Sequence, residues 1–133
     1  MNRLSWLNNQ MQIAYDRMCR YDDWHSRLGA LYMMVLGLLL FANAILHVVI
    51  VGRFGIKGNE PPAVFGVLYA VLGIAAFVGW SQVVLATLIV TTVGIVGLGV
   101  NFKKLKHDNT IEKIILVLGF LIIGYASYLN WAI

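Results

Sequence analysis

Charge is what this sequence most lacks. Only 12% of its 133 residues are Asp, Glu, Lys or Arg, where an ordinary soluble globule carries about 25%. A chain this poor in charge cannot cover a water-facing surface, so lipid must be the solvent for most of it. The mean hydropathy of +0.79 points the same way. Cysteine is nearly absent. Cys19 stands alone, which excludes an intrachain disulfide and leaves the redox compartment open. A phosphate loop of the G-x-x-x-x-G-K type is missing, although there are 13 glycines. The glycine-rich GIVGLG at 94–99 follows an apolar helical run, so packing explains it better than dinucleotide binding. Residue 2 is Asn and the last residues hold no cysteine, so the sequence carries no lipidation motif. No cleavable signal peptide of the usual form is expected, because the first apolar run begins at Leu28 and is too long for one.

The charges that remain are segregated. Leu28 to Gly52 is an uncharged run of 25 residues, Pro61 to Phe102 one of 42, and Ile114 to Ile133 one of 20. A membrane span needs about 20 apolar residues at 1.5 Å rise each. The first and third runs therefore hold one span each and the second holds two. The only polar cluster with an interfacial Trp inside the long run is Gly79-Trp80-Ser81-Gln82, so a tight turn is expected there. The expected fold is an all-α membrane protein, a bundle of four transmembrane helices at about 28–51, 63–80, 83–102 and 111–131, behind an N-terminal region at 1–27. The chain should be a multi-pass integral membrane protein, of a cell membrane.

Residues 3–20 carry Leu4, Leu7, Met11, Ala14 and Met18 at spacings of three and four. That periodicity predicts an amphipathic helix, and Trp6 and Tyr15 suit it to the membrane interface. The polar junction YDDWHSR at 21–27 follows. Stripes with small residues recur along the spans: Ala30, Met33, Gly37, Leu40, Ala44, His47 and Val51 in the first; Gly66, Ala70, Gly73 and Phe77 in the second; Thr87, Thr91, Gly94, Leu98 and Asn101 in the third. Such stripes let helices approach closely in lipid, where the hydrophobic effect gives no drive for association. The net charge of +4 does not indicate nucleic acid, since the ten Lys and Arg are scattered over short extramembrane pieces. They stand four against six on the two sides, which barely orients the chain and leans to an outside N-terminus.

Candidate chemistry is sparse. The uncharged runs leave no Asp, Glu, Lys or Arg inside the spans, and coupled pumps and exporters usually need one. His47 is the only ionisable residue at depth. It lies one turn after Asn43, so both can face one neighbour. His47 and Asn43 are the candidate cofactor-binding pair, for a haem or a quinone. A haem b commonly needs two axial histidines, and no second one lies at that depth. The bland alternative is a neutral histidine hydrogen-bonded to its own helix or a partner. Glu60, His107 and Asp108 share the His47 side of the membrane, and Cys19, Asp22, Asp23 and His25 the other; neither set has metal-ligand spacing. No metal site and no catalytic residues are assigned. Thr87 and Thr91 are expected to bond across helices or to their own i−4 carbonyls.

These features suit a chain that supports a site better than one that forms a site alone. The leading expectation is a non-catalytic auxiliary subunit of a larger multisubunit membrane complex, for example a respiratory or metal-dependent, monooxygenase-like oxidoreductase. Its partners would be the lipid bilayer and other membrane subunits, and it need bind no cofactor by itself. The alternatives are a small homo-oligomeric transporter or channel lined by Thr87, Thr91 and Asn101, and a haem- or quinone-contacting anchor subunit using His47.

Overall fold

A computed structural model describes the backbone of residues 3–101 and 110–132, and the side chains of 11–13, 27–100 and 110–131. The described residues are helical, joined by short turns: α1 is Arg3–Phe54, α2 Glu60–Val78, α3 Val83–Asn101 and α4 Thr110–Ala132. Four segments are long and apolar enough to cross a membrane: Arg27–Phe54, Glu60–Val78, Val83–Val100 and Thr110–Trp131. The chain divides into Met1–Leu31, which includes the first part of α1, and Tyr32–Ile133, which holds the rest of α1 and the other three helices. The amphipathic face expected on 3–20 falls almost wholly on side chains outside the described residues.

The turns follow from local chemistry. Gly55 and Gly58 adopt φ of +81° and +85° after α1, a left-handed conformation that glycine enters without steric cost. The Asn59 side chain donates to the Gly55 carbonyl (2.9 Å), and its backbone N–H donates to Ile56 (2.8 Å). Pro61 and Pro62 sit in the first turn of α2, where a missing N–H leaves no helical bond unmade. Helix α2 ends in a Schellman motif. Gly79 is left-handed (φ +77°), its N–H donates to Ala76, and the Trp80 N–H donates to Ala75. The chain reverses over Gly79–Gln82, and α3 starts at Val83.

The bundle closes through glycines that accept side chains from neighbouring helices. A Cβ on Gly37 of α1 would lie 2.9 Å from the Phe77 ring of α2, and one on Gly73 of α2 would lie 2.9 Å from the Phe41 ring of α1. Gly66 of α2 faces His47, Gly94 of α3 faces Phe65, and Gly119 of α4 faces Ile95. Helix α4 meets α1 where the Tyr125 hydroxyl donates to the Tyr32 carbonyl (3.1 Å) and Tyr32 packs edge-on to Tyr128. Adjacent helices in sequence are thus adjacent in space, and the fourth returns to the first.

The radial pattern is that of a lipid-solvated protein. Leu36, Leu40, Leu72, Val83, Ile122 and Leu129 fill the core. Asn43, Thr87 and Thr91 are fully buried there too. The outward positions, among them Ile45, Val48, Val67, Val71, Leu85, Ile89, Val117 and Leu121, are apolar and exposed. Water does not tolerate such a surface on a chain this size, and hydrocarbon does. The packing stripes are turned slightly from the expected ones. Ala30 is exposed, and the buried face of α1 runs through Leu36, Gly37, Leu40, Asn43, Ala44, His47 and Ile50. On α2, Tyr69, Leu72 and Ala76 join Gly66 and Gly73, and Phe77 stays 45% exposed although its ring covers Gly37.

One expectation is corrected. The spans are not free of carboxylates: α2 begins at Glu60, before the expected 63, and the expected fourth span (111–131) already holds Glu112. Glu60 and Glu112 lie in the first turns of α2 and α4, and Glu112 is only 2% exposed. A negative charge is favoured there by the exposed N–H groups and dipole of a helix N-terminus.

Candidate functional site

The α1–α2 turn, the later part of α3 and the first half of α4 surround a cavity of about 390 Å³. Its walls are mostly apolar: Ile50, Pro61, Pro62, Phe65, Ile95, Leu98, Ile115 and Leu116. Glycines 94, 97 and 119 leave the room. The polar groups are few: His47 of α1, Tyr69 of α2, Glu112 of α4, and Asn59 and Glu60 at the turn. His47 lies two helical turns inside the Phe54 end of α1, about 10 Å along the axis. The cavity thus runs from the end of the bundle toward its polar centre.

His47 is held tightly. Its Nδ1 donates to the Asn43 backbone carbonyl at 2.8 Å. Its ring lies 5.4 Å from that of Tyr69 and 6.3 Å from that of Phe65. On the far side, its Cβ would be 3.2 Å from a methyl placed on Gly66, so α2 allows the histidine no retreat. Asn43 and His47 therefore meet each other, through the Asn43 carbonyl. The Asn43 side chain lies deeper, outside the cavity wall. A ring fixed through one nitrogen presents the other, Nε2, as the polar atom it can offer a ligand.

Beyond His47 the bundle centre is polar but poorly paired. The Tyr69 hydroxyl approaches Thr91 and Asn43, yet neither side chain reaches hydrogen-bond geometry. The amide of Asn43 and the hydroxyls of Thr87 and Thr91 are buried without a partner. The bonds expected for Thr87 and Thr91, across helices or to their own carbonyls, are not made. Both threonines lie inside the bundle at 0% exposure. The side chain of Asn101 is outside the described residues.

At the mouth, Glu60 accepts the Gly58 N–H at 3.1 Å and is exposed. His107 and Asp108, grouped with Glu60 in the sequence, lie outside the described residues, as do the side chains of Cys19, Asp22, Asp23 and His25. Among the described residues, no group of three or more His, Cys, Asp or Glu could hold a metal ion. Among the described residues, His47 is the one histidine lining the cavity.

Three polar lining residues escaped the sequence reading: Tyr69, Asn59 and Glu112. Glu112 had a legible signal. It extends the stripe Ile115, Gly119, Ile122, Ala126 and Leu129 by one turn at the same helical spacing, and all of these are buried. Tyr69 precedes Ala70 of the expected stripe and shares the buried face with Gly66 and Gly73. Asn59 gave no signal beyond its place before two prolines. No family model, curated protein or solved structure matches the chain.

Proposed function

We propose that this chain is a non-catalytic subunit of a larger membrane assembly, and that its own contribution is to hold a small amphiphilic ring, of the quinone type, beside His47. The observation that carries the reading is the cavity. It has the size of small-molecule sites, about 300–1,000 Å³, and their composition of apolar walls with a few convergent polar groups. The Phe65 and Tyr69 rings suit a flat ligand, and the cavity is flanked by apolar outer surface from which a lipid-soluble molecule can enter. Among the described residues, no Ser, Thr, Cys or Lys lines the cavity beside His47, which favours binding over catalysis.

The test is gentle purification from the native membrane. Light scattering corrected for detergent should give a protein mass well above the 14.8 kDa of one chain, with other subunits identified by mass spectrometry. Solvent extraction of the same sample should release a quinone-type molecule. A free single chain with no extractable ring compound would sink the proposal.

A further inference from the structure

Three buried polar side chains have no part in the ring site. Asn43 of α1 and Thr87 and Thr91 of α3 are fully buried, and their amide and hydroxyls have no hydrogen-bond partner. They begin where the cavity ends. Tyr69, Gly94 and Gly119 line the cavity. A Cβ on Gly94 would lie 3.4 Å from the Tyr69 hydroxyl, and one on Gly119 would lie 3.7 Å from the Thr91 methyl. The Tyr69 hydroxyl in turn approaches Asn43 and Thr91. Asn43 is one helical turn deeper than His47, Thr91 one deeper than Gly94, and Thr87 one deeper again. Past Thr87 the interior changes character. Leu36, Ala76, Val83, Ala126 and Leu129 are buried and apolar. The bundle interior is therefore polar from the cavity to Thr87, and apolar from there toward the Gly79–Gln82 turn.

We infer that water from the cavity enters the bundle centre, pairs with Asn43, Thr91 and Thr87, and is stopped by the apolar layer, so that one chain encloses a dead-end water path. The inference goes beyond the ring reading and does not depend on it. The chemistry of the side chains points to water. An amide and hydroxyls both donate and accept, as water does, and a buried water needs two to four polar partners of this kind. A cation suits the place poorly. The uncharged runs 28–52, 61–102 and 114–133 put no Asp, Glu, Lys or Arg at this depth, and an unpaired ion in such surroundings is costly. The apolar outer surface faces hydrocarbon, which carries no water to the centre, so the cavity is the entrance. A path that ends inside the bundle moves no solute across the membrane. It gives His47 and its neighbours proton exchange with the side of the α1–α2 turn alone. An apolar side chain that displaces the water still gains stability, since replacing a buried hydrogen-bonded pair by apolar groups is near neutral or favourable.

Cys19→Ser leaves the chain without a thiol. In that background Thr91→Cys and Thr87→Cys each place one thiol in the polar centre, and Ala126→Cys places one in the apolar layer. Infrared spectroscopy of the intact protein in detergent reads the S–H stretch, which shifts when D2O exchanges the proton. The Thr91→Cys and Thr87→Cys thiols should exchange on mixing. The Ala126→Cys thiol should exchange at least about tenfold more slowly, because it waits for local opening of the helices. Either threonine variant is decisive if the other fails to fold. Threonine-site thiols as slow as the Ala126→Cys thiol overturn the inference, because no water then reaches the centre. An Ala126→Cys thiol as fast as the others also overturns it, in favour of a path through the whole bundle. A decyl-chain benzoquinol seated in the cavity should slow the Thr91→Cys exchange. Unchanged exchange with the quinol bound, as calorimetry shows, overturns the cavity as the entrance. A sample that binds no quinol removes the ring reading, and the contrast between the thiols still decides this inference.

Discussion

Gly73→Ala is the sharpest probe of how the bundle is held together. The added methyl would lie 2.9 Å from two atoms of the Phe41 ring and 3.4 Å from the Gly37 carbonyl oxygen. The ring contact is about half an ångström inside the closest ordinary approach. The ring has little room to yield, because it is already packed on Phe77 at 5.8 Å, and Phe77 itself occupies the space over Gly37. Overpacking of this kind costs about 1–3 kcal/mol. Alanine also favours the helix over glycine by up to about 1 kcal/mol, which partly masks the clash. Gly124→Ala removes that ambiguity, since a Cβ there meets nothing within 4 Å and carries the propensity term alone. Unfolding by SDS in mixed micelles, followed by circular dichroism, should place Gly73→Ala about 1–3 kcal/mol below Gly124→Ala. Removing the ring as well, in Gly73→Ala with Phe41→Ala, should make the effects markedly less than additive. If Gly73→Ala is as benign as Gly124→Ala, α1 and α2 do not approach as described.

Asn43→Leu should stabilise the protein by about 1–2 kcal/mol, because it replaces a buried amide without partners by an apolar group of similar size; a loss in the same SDS assay would mean that the amide has a partner. The carbonyl that holds His47 survives this change. Tyr125→Phe removes the bond to the Tyr32 carbonyl and should cost only about 0.6 kcal/mol, the average for such bonds in lipid; a loss several times larger would assign the α4–α1 contact a greater role. For topology, cysteines at Ile56 and Ser81 in a Cys19→Ser background mark the two ends of α2. Its 19 residues span about 28 Å. An impermeant maleimide added to sealed vesicles should label one position and not the other, whereas labelling of both would refute the crossing.

Much of the fold was legible because the bilayer reduces it to one-dimensional questions. Runs without charge longer than a span must contain spans, and the Gly79–Gln82 cluster lies where α2 turns into α3. Helix starts were less legible. Glu60 was left outside the second span, and Glu112 fell inside the fourth (111–131) but was passed over because the spans were taken as uncharged, yet the first turn of a helix welcomes a carboxylate. The same error hid the cavity's acid. His47 was legible at once as the one ionisable group at depth. Its relation to Asn43 was not, since sequence gives their spacing but not that a backbone carbonyl makes the bond. Tyr69 and the glycines that open the cavity depend on which face of each helix turns inward. Adjacent residues such as Tyr69 and Ala70 point about 100° apart around the helix, and a stripe of small residues does not specify which of the two turns inward.

The central claim is a ligand cavity inside the bundle, and Gly97 tests it most directly. Gly97 lines the cavity, and a Cβ added there meets nothing within 4 Å. Gly97→Leu should therefore fill space without straining the helices. Calorimetric titration of the decyl-chain benzoquinol should show saturable binding, one molecule per chain, in the wild-type protein. In Gly97→Leu the affinity should fall at least about tenfold, the scale of a lost apolar contact in a filled site, with the unfolding midpoint unchanged. Equal affinity in the two proteins would contradict the account, because the ring would then be bound on the outer surface and not in the cavity beside His47.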